Sequence, residues 1–372
     1  MPLYEGIGTE KLTVVMDLGA AFTKLGFSGE FAPRHIIRSE VTLKGSNLTR
    51  EIYSYVNGDD LYDLLVEFLH MIFFKYVLLS PKDKPVIIVE SLLCPTIFRE
   101  TLAKVLFSHY EIYSLLIVPS HLVSLAPLAI NTALVVDVGY LETTVIPICH
   151  GLPVLHAWQA LPLASQAINN KLRKHLHSCN IKISEVKQNI IDDIKVRCCF
   201  VTPQRRAIQF LKSNSQLNYC PDLQYPLGGT KIINVPGKIR ETVAEFLFEE
   251  DNDHQCLSTM VLDSILKVNV DLRVKLAENI LLTGGTVMLT GFKARFKEEL
   301  YKQLNSSRYE KLKLSKFMFH SAPSKDNYTA WLGGAIYGAT EVLGMKSITR
   351  EYYFKESRLP DWPNMKDNSR IQ

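Results

Sequence analysis

No two cysteines in this 372-residue chain have the spacing Cys-x-x-Cys. The seven present are an odd number, and the adjacent pair Cys198–Cys199 cannot form a zinc knuckle by itself. The expectation is reduced, mostly buried thiols with no structural metal. His175 and His177 stand one residue apart, with no acid or thiolate at a recognisable ligand spacing, and so add no metal site. Long basic blocks are also missing. With a net charge of +4, the small clusters at 171–174 and 205–206 read as solvated faces, and a nucleic-acid partner is not expected. The first twelve residues have neither a basic start nor an apolar core, so no signal peptide is expected. Residues 112–136 carry no Asp, Glu, Lys or Arg, and their length would suit a membrane span. Pro119, Pro127 and Asn131 interrupt them, and Ser120 and His121 add polarity. Strand, short helix, strand is the expectation there, without membrane insertion.

What the chain does have is an ordinary globular composition, 47% hydrophobic and 22% charged, and length enough for two domains. Short β-rich runs end in small or turn residues at 13–19, 85–91, 114–120, 133–139 and 279–285. Four to seven consecutive apolar residues predict strands covered on both faces. Helical patterns lie between them. Leu61, Leu64, Leu65, Phe68, Leu69, Ile72, Phe73 and Tyr76 recur at spacings of three and four, with Asp59 and Asp60 as candidate caps. Residues 96–110 repeat the pattern with Thr96 at the cap, and Phe292, Phe296 and Leu300 form a stripe in 291–304. Alternating strands and helices predict an α/β architecture.

A local pattern then occurs twice. "VVMDLGAAFTKLGF" (14–27) and "LVVDVGYLETTVIPI" (134–148) are each strand, Asp-x-Gly turn, strand. Tight turns of this kind turn backbone N–H groups toward an anion, and each Asp can hold a hydrated Mg²⁺. Two such tips facing across a cleft would pinch a polyphosphate. Asp-x-Gly is also an ordinary turn, so the pair alone is a weak signal. "LLTGGTVMLTGF" (281–292) strengthens it: Gly284, Gly285 and Thr286 follow a strand and precede a helix, which suits close approach of a phosphate or adenosine. "APSKDNYTAWLGGAIYGA" (322–339) adds a helix whose small face permits tight packing.

These elements, in this order, resemble the actin family over nearly the whole chain. The most specific stretches are "KLGFSGEFAPR" (24–34), "VNVDLRVKLAENILLTGGTVMLTGF" (268–292) and "AWLGGAIYGA" (330–339). The resemblance implies the duplicated, ribonuclease H-like α/β fold shared with sugar kinases and heat-shock ATPases, two halves around a nucleotide cleft. The implied small half is 1–127 plus 329–372, with a reduced second subdomain at 40–60. The implied large half is 128–328, with its third subdomain at 128–163 and 253–328 and its fourth at 164–252. Implied nucleotide contacts are Asp17, Gly19, Lys24, Asp137, Gly139, Lys195, Gly284, Gly285 and Thr286. Asp17 and Asp137 would hold Mg²⁺ through water. The implied ligand is ADP or ATP with Mg²⁺.

Departures from the family pattern bear on activity. Ala20 and Ala21 stand where the first loop has Ser and Gly, and Tyr140-Leu141 where the second has Asp-Gly. The family's water-positioning Gln aligns with Ser120, its His beyond the second loop with Thr144, and a Glu that lines the adenosine with Val196. Hydrolysis depends on positioning water and stabilising charge. No catalytic residue and little or no ATPase are therefore expected, with nucleotide as a structural ligand. His121 is a candidate replacement base but more simply a structural histidine. Residues 41–60 are too few for the family's small second subdomain and its filament loop. Together with "REYYF" (350–354) and "RLPDW" (358–362), this resembles the family's pointed-end branch in dynactin. That implies a cytoplasmic, cytoskeletal subunit beside the actin-related and actin subunits of dynactin and the other pointed-end subunits, in dynein-driven transport. The alternatives are an ATPase or kinase on the same fold, or a nuclear actin-related subunit of a chromatin complex. The polar tail 360–372 is expected to be an exposed arm.

Overall fold

A computed structural model describes residues 12–43, 48–178, 188–211, 217–228, 231–356 and 358–360. The segments 1–11 and 361–372, on which the expectations about a signal peptide and an exposed tail mainly fall, lie outside the described residues. The chain divides into two compact units, Met1–Ile130 with Ala322–Gln372, and Asn131–Ser321.

The first unit is built on a six-stranded sheet. Its centre is an antiparallel hairpin of Val14–Leu18 and Phe22–Phe27, in which Asp17 stands opposite Lys24. Pro85–Glu90 runs parallel to the first strand, and Ser114–Pro119 parallel to that. His35–Arg38 closes one edge and Ile348–Thr349 the other, both antiparallel. The unbroken apolar runs follow from burial on two sides. Val14, Met16 and Leu18 face a core with Leu61, Phe68, Phe98 and Phe107. Val15, Ile87, Val89 and Val118 face Trp331 and Ala335.

Gly58–Met71 forms the expected core-facing helix, but its cap is Asn57, whose side chain accepts from the Asp60 amide. Asp59 and Asp60 sit in the first turn, where acidic charge suits the helix dipole. The helix continues as a π-helix, Ile72–Val77. Thr96 is likewise the first helical residue, after Pro95 at the cap position. In the helix Thr329–Gly338 the small face packs on the sheet through Gly334 and on the short helix Ser120–Val123 through Gly333. A Cβ on Gly333 would lie 1.8 Å from the Val123 carbonyl oxygen, and Trp331 Nε1 donates to the Val15 carbonyl at 3.1 Å. The glycines there serve close packing.

The second unit repeats the plan. Ala133–Val138 and Thr143–Cys149 form an antiparallel hairpin, Ile280–Thr283 runs parallel to its first strand, and Phe319–His320 parallel to that. Leu152–Pro153 and Gln159–Leu161 pair with the outer strand of the hairpin. The helix Phe292–Leu304 buries Phe292, Phe296 and Leu300 as its stripe predicted. Residues 112–136 form strand, short helix and strand, and among the described residues no helix is long and apolar enough to cross a membrane. No group of three or more potential metal ligands is found among the described residues.

Candidate functional site

Each unit carries one of the two Asp-x-Gly turns. In the first unit the turn between Leu18 and Phe22 is held from within. Asp17 Oδ2 lies 2.9 Å from Lys24 Nζ across the hairpin. A Cβ on Gly19 would come within 2.7 Å of the Phe22 carbonyl oxygen, so this tight turn needs glycine. Two hydroxyls that the sequence reading did not single out fix the turn's carbonyls. Ser39 Oγ donates to Gly19 O at 2.5 Å and lies 2.8 Å from Thr23 Oγ1, and Tyr53 Oη donates to Leu18 O at 2.7 Å. The Tyr53 ring stacks on Phe98 with centroids 4.6 Å apart. Burial of its hydroxyl raises the Tyr53 pKa well above the ordinary phenol value, and nearby Cys94, Asp17 and Glu90 add to the shift. The group thus stays a donor. Tyr53→Phe is expected to lower the stability of the folded chain by about 1–3 kcal/mol, since it strands the Leu18 carbonyl, as measured by denaturant unfolding.

In the second unit Asp137 stands opposite Thr144, and the Gly139 amide donates to Glu142 O at 3.1 Å to close the turn. Gly284, at φ +100°, lies against this loop: a Cβ there would sit 2.6 Å from Asp137 Oδ1 and 2.3 Å from Val138 O. A Cβ on Gly285 would meet nothing within 4 Å. Thr286 Oγ1 donates to Gly139 O at 2.7 Å. Asp137, Gly139, Gly284, Gly285 and Thr286 are thus brought together around one loop.

Lys195 joins them at one remove. It lies in the helix Gln188–Cys198 with its ammonium buried, 2.6 Å from Ser165 Oγ and 3.3 Å from Asp192 Oδ1. Asp192 Oδ1 also accepts from Asn169 Nδ2 at 2.7 Å. Ser165 starts the helix Ser165–Ser178, whose next residue, Gln166, donates its amide to Tyr140 O at 2.8 Å. Tyr140 Oη accepts from Gln188 Nε2 at 3.2 Å, and Gln188 Oε1 accepts from Arg173. The bulky residue that breaks the family pattern is therefore tied to both helices. Val196, on the same helix as Lys195, is exposed. Burial raises the Glu142 pKa above the usual carboxylate value.

His121 is not well placed to act as a base. It is buried, and burial lowers its pKa to about 4, so near neutral pH it is a weak proton acceptor. The same shift predicts an acid-sensitive fold. A folded-state pKa below the unfolded one adds stability above about pH 6.5, which is lost as the pH falls toward 4. We expect a loss of about 2 kcal/mol between pH 7 and pH 5 from this group, measured as the difference in pH dependence between the wild type and His121→Gln.

The comparisons agree with this architecture. A family profile described as Actin matches residues 8–358, and the chain belongs to that family. It is 29% identical to actin-related protein 10 of Dictyostelium discoideum, over 95% of this chain and 90% of that protein. It is 26% identical to actin-like protein 9 of Bos taurus and 24% identical to its Homo sapiens counterpart. Each of these matches covers 91% of this chain and 85% of the relative.

Proposed function

We propose that this chain is a non-catalytic structural subunit of dynactin, seated at the pointed end of its short actin-like filament and supporting dynein-driven transport in the cytoplasm. One observation carries the reading. Between the strand His35–Arg38 and the helix that starts at Gly58, the described residues make a small antiparallel hairpin, Glu40–Thr42 with Thr49–Glu51. Conventional actins carry in this place a subdomain whose mobile loop enters the next subunit. A subunit without it can dock by one face and stop addition at the other, and a head-to-tail polymer stays open until such a subunit ends it. The match to actin-related protein 10 over nearly the full chain supports the assignment to this branch.

Nucleotide in this proposal is ADP or ATP with Mg²⁺, held as a structural ligand. Asp17, Gly19 and Lys24 serve in the first unit, and Asp137, Gly139, Lys195, Gly284, Gly285 and Thr286 in the second. What supports the fit is the bare backbone at Gly285, open beside Gly284 at positive φ, and a carboxylate near the end of each of the strands Val14–Leu18 and Ala133–Val138. Bound nucleotide would supply phosphate and metal charge for a loop carboxylate and its neighbouring turn amides to hold. ATP turnover is not part of the proposal. Alanines replace the first-loop Ser and Gly, Tyr140-Leu141 replaces Asp-Gly, and His121 is buried and weakly basic.

Velocity sedimentation of cytosolic extract, with identification of co-migrating proteins, tests the assignment. The expected result is migration in a very large particle together with actin-like filament subunits. Migration as a free monomer would overturn it.

A further inference from the structure

The chain contains a single Asn-Gly dipeptide, Asn57-Gly58. It stands between the small hairpin of the first unit and the helix Gly58–Met71, with Asn57 at the cap position and exposed. The Asp60 amide donates to Asn57 Oδ1 at 2.9 Å, and the Leu61 amide to Asn57 O at 3.0 Å. Asp60 in turn holds Arg50 of the hairpin at 2.7 Å and accepts from the Val56 amide at 2.9 Å.

These contacts also assemble the parts of a reaction. The side-chain amide carbon of an asparagine is an electrophile, and the main-chain nitrogen of the next residue can attack it through a five-membered ring. Here that nitrogen belongs to Gly58, the first helical residue, whose N–H has no intrahelical acceptor. The Asp60 N–H polarises the carbonyl under attack and is placed to stabilise the oxyanion it becomes. The barrier lies in the backbone. Asn57 has an extended ψ of −179°, and ring closure needs rotation about its Cα–C bond until the Gly58 nitrogen lies on the side of Cβ. The end of a helix, which frays, is where such a rotation is cheapest. Glycine opposes it least, having no side chain to meet the ring. A Cβ at residue 58 would meet only Ile97 Cδ1, at 3.7 Å, so packing does not pin this residue.

We propose that Asn57 is a site of spontaneous deamidation, converting to aspartate and isoaspartate. The Gly58 nitrogen gives its proton to solvent base and bonds to Asn57 Cγ. The Cγ–Nδ2 bond breaks, and Nδ2 takes a proton from solvent and leaves as ammonia. Water then opens the cyclic imide. Opening between Cγ and nitrogen gives aspartate, and opening between the main-chain carbonyl carbon and nitrogen gives isoaspartate. One water is consumed, one ammonia is released, and nothing is oxidised or reduced. The products differ in effect. Aspartate keeps an acceptor at the cap. In isoaspartate the chain runs through Cβ and Cγ, and the carbonyl that accepts from Leu61 becomes a pendant carboxylate. The Val56–Asp60 hydrogen bond spans this point. The isomer therefore loosens the first helical turn and its hold on Arg50.

The test incubates the full chain for two weeks at neutral and at mildly alkaline pH. Peptide mapping by mass spectrometry locates the mass gain of deamidation, and labelling by isoaspartyl methyltransferase reads the isomer. Asn305 is the internal standard: it is exposed and precedes Ser306, but the Ser306 amide is held by Gln303 O at 2.9 Å. Asn57 should convert about tenfold faster than Asn305, and faster at the higher pH, and Gly58→Ala should slow it about tenfold. Amide exchange at residues 59–61 should be faster in the aged chain but not in Asn57→Asp. Equal rates at Asn57 and Asn305, or an unchanged rate in Gly58→Ala, would overturn the proposal. Conversion to aspartate without isoaspartate would also overturn it, since it would mean direct hydrolysis without the ring. Should Gly58→Ala fail to fold, the comparison with Asn305 in the wild type decides alone.

Discussion

Arg295→Met is expected to destabilise the folded chain by about 3–5 kcal/mol. Arg295 is buried on the helix Phe292–Leu304, with its guanidinium 2.9 Å from Glu245 Oε2 and 2.8 Å from Glu299 Oε1. It also donates to Thr202 O at 2.8 Å and lies over the Phe248 ring. Both glutamates are themselves buried. Removing the cation leaves two buried carboxylates, Glu299 with Lys302 at 3.2 Å and Glu245 with the Thr202 hydroxyl at 2.5 Å, without their shared counter-charge. The charge effect separates from the packing effect in a triple variant, Arg295→Met with Glu245→Gln and Glu299→Gln. Denaturant unfolding should show most of the loss recovered, since a neutral arrangement of similar volume is often as stable as a buried ion cluster. Equal stability of wild type and Arg295→Met would mean that the glutamates take up protons or water at little cost.

Gly284→Ala is expected to cost about 3–5 kcal/mol, the sum of a backbone held at a φ that L-residues avoid and a Cβ driven into the neighbouring loop. The distances set the direction of relief. With 2.3 Å to Val138 O and 2.6 Å to Asp137 Oδ1, either the Ile280–Thr283 strand end or the Asp137–Gly139 turn must move. Two readouts follow. Unfolding measures the cost directly. Thermal shift with MgADP measures whether Asp137 still serves. A ligand at a hundred times its dissociation constant stabilises the folded state by about 2.7 kcal/mol. The wild type should show such a shift, reduced by EDTA, and Gly284→Ala should lose it. A wild type with no shift at any accessible MgADP concentration would remove nucleotide from the proposed function and leave the stability prediction intact.

Much of the fold was legible because its signals are local. Buried strands announce themselves as apolar runs, and the two hairpins repeat one pattern at 14–27 and 134–148. The stripe Phe292, Phe296, Leu300 was read correctly for the same reason. Arg295 and Glu299, on the same helix, look in sequence like an exposed i,i+4 pair, and their burial depends on Glu245, Thr202 and Phe248. The site divides in the same way. The loop glycines and Thr286 could be found from local spacing. Ser39 and Tyr53 could not: they lie 20 and 35 residues from the carbonyls they hold, in a stretch notable in sequence only for being short. The cap at Asn57 was missed because two acids follow it within the first turn and carry the same kind of signal. Tyr140 has in addition a structural part that its sequence position does not show: its hydroxyl and carbonyl join two helices to the turn.

The small hairpin between Ser39 and Tyr53 has a consequence for how this chain tolerates added sequence. The two residues that hold the first turn stand just outside the hairpin, and Thr42 Oγ1 and Thr49 Oγ1 meet at 3.0 Å within it. Extra residues placed between Thr42 and Thr49 would lengthen the tip without displacing Ser39, Tyr53 or the Arg50–Asp60 ion pair. Closing a longer loop costs only about 0.6 kcal/mol for each doubling of its length. The position is thus a natural graft point, where a longer loop could be installed on an otherwise unaltered scaffold.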